Sequence, residues 1–209
     1  MKAVLRERDA FKKAVARAFS LNSKLSGAKV EERPGYQRGL RAPDQRDIAQ
    51  FIFLDVASQW EAFCVSVFAL ELKKLYHVHD EVAERMMGSI DGVRIEGYAD
   101  PDRIAERARV MLGVSSPWAN LEQQLGRPAV NYLKYGQTIR NFIAHAGIGR
   151  GRTKFHNLLS TLNIPQHSRQ GLSAGRLLLD YTDSTRTPWF KALLDNYTAV
   201  ADFVASNIH

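Results

Sequence analysis

A chain of 209 residues with 45% hydrophobic content has the length of one domain and enough apolar material for a core, which excludes global disorder. Its one cysteine, Cys64, excludes an intrachain disulfide and points to a reducing compartment. The formal net charge of +7 takes its meaning from its distribution: no acid lies between Glu122 and Asp180, where Arg127, Lys134, Arg140, Arg150, Arg152, Lys154, Arg169 and Arg176 all fall. Chance would place about six acids in that interval. A block of one sign reads as the footprint of a polyanion, with nucleic acid ahead of a merely solvating basic face.

Val4 to about Leu25 predicts an amphipathic helix, with Leu5, Phe11, Val15, Ala18, Phe19 and Leu21 near a 3.6 period. A polar loop is expected from Ser26 to Ala42, around Arg33-Pro34-Gly35. Pro43-Asp44 then opens a long helix to about His77. Apolar residues wrap most of the way round it, from Ile48 and Phe51 through Trp60 and Phe63 to Leu75. Such a helix is either central to a bundle or supplies a dimer face as well. Its longest apolar stretch, interrupted at Ser66, runs from Ala62 to Leu70 and stops at Glu71, short of the roughly 20 residues of a membrane span. Charge begins at Lys2 and leaves no apolar signal-peptide core. No membrane and a cytoplasmic location are the expectations.

Short helices are expected at about Glu81–Ile90, Pro101–Leu112 and Pro117–Leu125, and Asp91-Gly92 marks a small hairpin joining Gly88–Ile90 to Val93–Ile95. A helix over Ala129–Ala146 ends at Gly147, another covers Arg152–Asn163, and a last one is capped by Thr187 with Pro188 in its first turn. Phe190, Leu193, Leu194, Tyr197, Ala201, Val204 and Ile208 form its stripe. The fold class is all-α: a single domain over 1–209, with an N-terminal helix and loop (1–42) and a core bundle (43–209) that carries inserted helices at about 81–125.

The chemically informative segment is Gly136-Gln137-Thr138-Ile139-Arg140-Asn141-Phe142-Ile143-Ala144-His145-Ala146-Gly147. Asn141 and His145, four apart, share a helix face, and Arg140 lies about 140° round and about 7.5 Å along from His145. An arginine side chain is long enough to bring a planar, permanently charged fork to a phosphate beside the imidazole. Histidine transfers protons near neutrality. The pair suits attack of a ribose 2′-hydroxyl on the adjacent phosphorus, leaving a 2′,3′-cyclic phosphate and a 5′-hydroxyl with no metal or cofactor. Glu61 is an acid in a nearly all-apolar setting, where a partner such as Arg140 would satisfy it. The bland readings are a C-terminal helix histidine on the dipole, a structural arginine and core aromatics at Trp60 and Phe63.

The R-N-x-x-x-H form late in a helix, with Ser58-Gln59-Trp60-Glu61-Ala62-Phe63 in the helix upstream, resembles the HEPN family, in particular members tied to bacterial RNA repair and defence. The resemblance implies a metal-independent ribonuclease with catalytic Arg140 and His145 supported by Asn141 and Glu61. It also implies a two-fold homodimer whose paired helices line one cleft, in a toxin, stress or phage-defence setting with an antitoxin or other regulatory protein as a possible partner. The alternative is a non-catalytic HEPN dimer that binds RNA or a protein. In members silenced by a nucleotidyltransferase a tyrosine stands two residues after the histidine; here Gly147 stands there, so that control is not expected. Arg150, Arg152 and Lys154 follow as candidate RNA-phosphate contacts. His77-Val78-His79-Asp80 has no common zinc spacing, so no metal is expected.

Overall fold

The computed structural model describes residues 1–25, 27–33, 36–88, 97–145 and 148–208. It is all-α apart from one hairpin. Helix α1 (Lys2–Leu25) is followed by strands β1 (Lys29–Arg33) and β2 (Tyr36–Gly39), then by the long α2 (Ala42–Tyr76). Next come α3 (Asp80–Met86), α4 (Pro101–Met111), a 3-10 turn (Pro117–Asn120) and α5 (Leu121–Leu125). The chain continues through α6 (Arg127–Ala144), α7 (Arg150–Thr161), α8 (Gln166–Arg169), α9 (Ala174–Asp180) and α10 (Trp189–Asn207).

The expected loop at 26–42 instead holds the antiparallel pair β1–β2, with Val30 opposite Arg38 and Glu31 opposite Gln37. Strands reading Lys-Val-Glu-Glu-Arg and Tyr-Gln-Arg-Gly carry no apolar alternation, the usual sign of a strand. Helices α8 and α9 were not anticipated either; at four and seven residues they are too short for periodicity to declare. The expected helix at Glu81–Ile90 ends at Met86, before Gly88 at φ 88°; residue 90, the hairpin expected over 88–95 beyond Gly88, and Ala146-Gly147 lie outside the described residues. At the last helix the cap differs. The Asp183 carboxylate accepts from the Thr185 and Thr187 amides at 2.9 and 3.0 Å, so Thr187 belongs to an Asx-type turn and α10 begins two residues later.

Two compact units divide the chain. The first comprises Met1–Lys13, Ser58–Lys134 and Asn196–His209, and the second Ala14–Ala57 and Tyr135–Asp195. In the first, Trp60 stacks on Tyr197 at 5.1 Å and on Phe63 at 5.5 Å, with Phe11 at 5.6 Å from both Trp60 and Phe63. Trp60 and Phe63 are therefore core aromatics, each 3% exposed. Phe68 meets Tyr98 edge-on, and the Arg107 guanidinium lies 4.5 Å from that tyrosine ring. The Lys12 ammonium closes on the Asp202 carboxylate at 2.8 Å.

In the second unit Phe19 meets Phe190, and Tyr135 meets Trp189, both edge-on. Gly175 in α9 lies against the backbone of Arg46 in α2, so close that a β-carbon would sit 2.0 Å from the Arg46 carbonyl oxygen. The Arg46 guanidinium pairs with Asp180 at 2.5 Å, the far end of the same short helix. Along α2, buried Ala49, Phe53 and Val56 precede buried Trp60, Phe63, Val67 and Leu72 at helical spacing, whereas Phe51 is 62% exposed. Among the described helices α2 alone has the length and mean hydropathy, 1.4, of a membrane span, yet this apolar stripe is taken up by protein packing.

Candidate nucleic-acid interface

Helix α6 positions the R-N-x-x-x-H segment by burying Ile139 completely, which leaves Arg140 and Asn141 half-buried on either side of the anchored face. Within it the Arg140 Nη1 donates to Asn141 Oδ1 at 3.1 Å. The asparagine thus helps to orient the guanidinium. His145 follows the last helical residue; its amide donates to the Asn141 carbonyl at 3.1 Å, completing the final turn, and its side chain is exposed. The Ile148 amide then donates to the His145 carbonyl at 3.1 Å. Gly149, at φ 60°, adopts the left-handed backbone that suits glycine and turns the chain into α7.

Two contacts lock the start of α7 to the end of α6. Phe142 and Phe155 stack with ring centroids 4.0 Å apart and planes at 14°. Gly151 lies so near α6 that an added β-carbon would touch the Asn141 carbonyl oxygen at 3.6 Å. Arg150, Arg152 and Lys154, all exposed, are thereby brought to the end of α6 that carries Arg140, Asn141 and His145. Helix α7 has no acid in its first turn and no side-chain cap. The positive end of its dipole therefore adds to the cationic character.

No family model matches the sequence, and neither a search of curated proteins nor one of solved structures finds a match.

Glu61, the fourth candidate of the catalytic set, belongs to the first unit, half-buried on α2 between Trp60 and Phe63. Its negative charge reaches Cys64. Burial, and secondarily Glu61, push that thiol well above its usual range, so it is not a ready nucleophile. Among the described residues no three His, Cys, Asp or Glu side chains gather as metal ligands.

Sequence reasoning missed Glu71, where it saw only the end of an apolar run. Burial pushes this carboxyl up to about 7, against the opposite pull of the nearby Ser116 hydroxyl and Lys74 ammonium. Glu71 Oε2 and Ser116 Oγ are both buried without a hydrogen-bond partner. Ser116, though near enough to favour the ionised acid, closes no hydrogen bond on it. The one legible signal was an acid ending the run that begins at Ala62.

Proposed function

We propose that this chain is a metal-independent endoribonuclease of the HEPN type, acting as a cytoplasmic homodimer in a bacterial toxin, stress or phage-defence role. The observation that carries the reading is the cationic front of the second unit. Arg140 is tied to Asn141 at 3.1 Å, an exposed histidine lies one turn on, and three exposed cations are packed against the same helix end.

In this mechanism His145 takes the proton from the ribose 2′-hydroxyl as the 2′-oxygen attacks phosphorus. The P–O2′ bond forms and the P–O5′ bond breaks. The departing 5′-oxygen receives a proton from the partner subunit's His145 in its imidazolium form, giving a 2′,3′-cyclic phosphate and a 5′-hydroxyl. Arg140 stabilises the charge that develops on the non-bridging oxygens, and Asn141 aims it. Arg150, Arg152 and Lys154 hold flanking phosphates. DNA lacks the nucleophile and is spared.

The test is incubation of total RNA in EDTA with wild type, His145→Ala and Arg140→Ala proteins of matched melting temperature. Cleavage that leaves cyclic phosphate ends and vanishes in both variants supports the assignment. Binding without cleavage by all three supports the alternative, a non-catalytic HEPN dimer for RNA, while cleavage that survives both substitutions refutes the catalytic roles.

A further inference from the structure

A separate polar cluster lies wholly in the first unit, and the proposed cleavage chemistry makes no use of it. It surrounds a cavity of about 460 Å³ between the end of α2, the segment after α4 and the end of α10, within the size range of small-molecule sites. Leu75, Leu112 and Pro117 make it apolar, while Glu71, Lys74 and Asn207 give it polar ends.

Glu71 Oε2 is buried with no partner, as is the hydroxyl of the adjoining Ser116, which is 3% exposed. A buried carboxyl oxygen is seldom left unpaired, so Glu71 Oε2 marks a place for a donor. A glutamate's terminal torsion is soft, and a small rotation presents either carboxyl oxygen to the cavity. Asn207 Nδ2 is committed to the Phe203 carbonyl at 2.7 Å, which leaves its oxygen as a further acceptor. Lys74 follows Glu71 by three positions on α2, so both side chains lie on one helical face, and the lysine is exposed.

A ligand fitting this pattern brings an N–H donor to Glu71, an anionic group to Lys74 one helical turn away, and an aliphatic body to Leu75, Leu112 and Pro117. A polyamine would meet Lys74 with like charge. A simple carboxylate would meet Lys74 but bring no cation to Glu71. We infer that this cavity binds a free aliphatic α-amino acid as its zwitterion, with the ammonium on Glu71 and the carboxylate on Lys74.

Because burial raises the Glu71 carboxyl to about 7, an arriving ammonium ionises it, and binding near neutrality releases a proton. The site and its test are independent of the ribonuclease reading.

The test titrates the full chain with L-leucine, isoamylamine and 4-methylpentanoate by calorimetry in two buffers of different ionisation enthalpy. L-Leucine is expected to saturate one site, to bind tighter than either one-group analogue, and to give a buffer-dependent heat from proton release. Glu71→Gln should weaken it about 10- to 100-fold, the worth of a charge-assisted hydrogen bond, and abolish the buffer dependence. Ser115→Trp, placed at an exposed residue of the cavity rim, should weaken it similarly with no change in the core. No saturable binding of L-leucine at about 10 mM, well above a millimolar dissociation constant, overturns the proposal. Equal affinity in wild type and both variants, or tighter binding of either analogue, does the same.

Discussion

Replacing Glu71 by Gln should stabilise the protein at alkaline pH and leave it unchanged in acid. The folded carboxyl titrates at about 7, against 4.5 when exposed, because burial opposes its charge. The native state therefore holds the proton more tightly than the unfolded chain. The contribution of the neutral acid is complete below about 4.5, falls as pH rises at roughly 1.4 kcal/mol per unit, and is gone above about 7. The interval corresponds to about 3 kcal/mol. Glutamine keeps the shape and hydrogen-bonding groups of the protonated acid but never ionises. The two proteins should thus melt together near pH 4.5 and separate by about 6–12 °C at pH 8.5, using the sensitivity of a chain this long. Thermal melts of both, recorded every half unit from pH 4.5 to 9, provide the measurement. Parallel curves across that range would show that Glu71 is solvated as an ordinary surface acid, and the argument from burial would fail.

Elsewhere, His145→Ala and Arg140→Ala should each lower metal-free RNA cleavage by about 10²- to 10⁴-fold with unchanged melting temperature, measured as initial rates on a labelled oligoribonucleotide. Loss of activity together with loss of folding would leave the bland structural roles standing. Replacing Arg150, Arg152 and Lys154 together by Gln should flatten the plot of log affinity for single-stranded RNA against log salt by about two units; an unchanged slope would remove α7 from the interface. Gly175→Ala should destabilise the second unit by about 1–3 kcal/mol or more, because its β-carbon meets the Arg46 carbonyl oxygen at 2.0 Å. Denaturant unfolding checks it, and a neutral result would mean that α9 shifts freely on α2.

How much of this was legible depends on the range of the forces involved. Helices α1, α2, α4, α6 and α10 follow from periodic apolar residues and from Pro or Gly punctuation, both local signals. The start of α10 was misplaced because the Asp183 carboxylate engages the Thr187 amide, a competition among neighbouring polar groups that residue preference alone does not rank. Helix α9 owes its place to the bare α-carbon of Gly175 against Arg46, a contact between residues far apart in sequence. At the candidate site, the spacing of Arg140, Asn141 and His145 was readable from helix geometry. The stacking of Phe142 on Phe155, which brings the α7 cations to them, was not. Glu71 shows the reverse error: an acid read as the end of an apolar run is half-buried, because the chain beyond α4 folds back over it.

The arrangement around α7 argues for an anion more strongly than net charge does. Arg150 and Arg152 occupy the first turn of a helix that lacks both an acid there and a side-chain cap. Cations at that end oppose the helix dipole by about 0.3–1 kcal/mol each. The neighbouring end of α6 brings Arg140 and His145, and the sequence holds no acid between Glu122 and Asp180. Arginines in that first turn are unfavourable for the isolated helix and favourable once a phosphate occupies the front, because one anion meets the dipole and the guanidinium groups together. A merely solvating basic face would gain nothing from placing its arginines at the wrong end of a helix. A bound phosphodiester, as proposed, would reconcile the sequence of α7 with its packing against α6, and it is the same group whose cleavage Arg140 and His145 are proposed to perform.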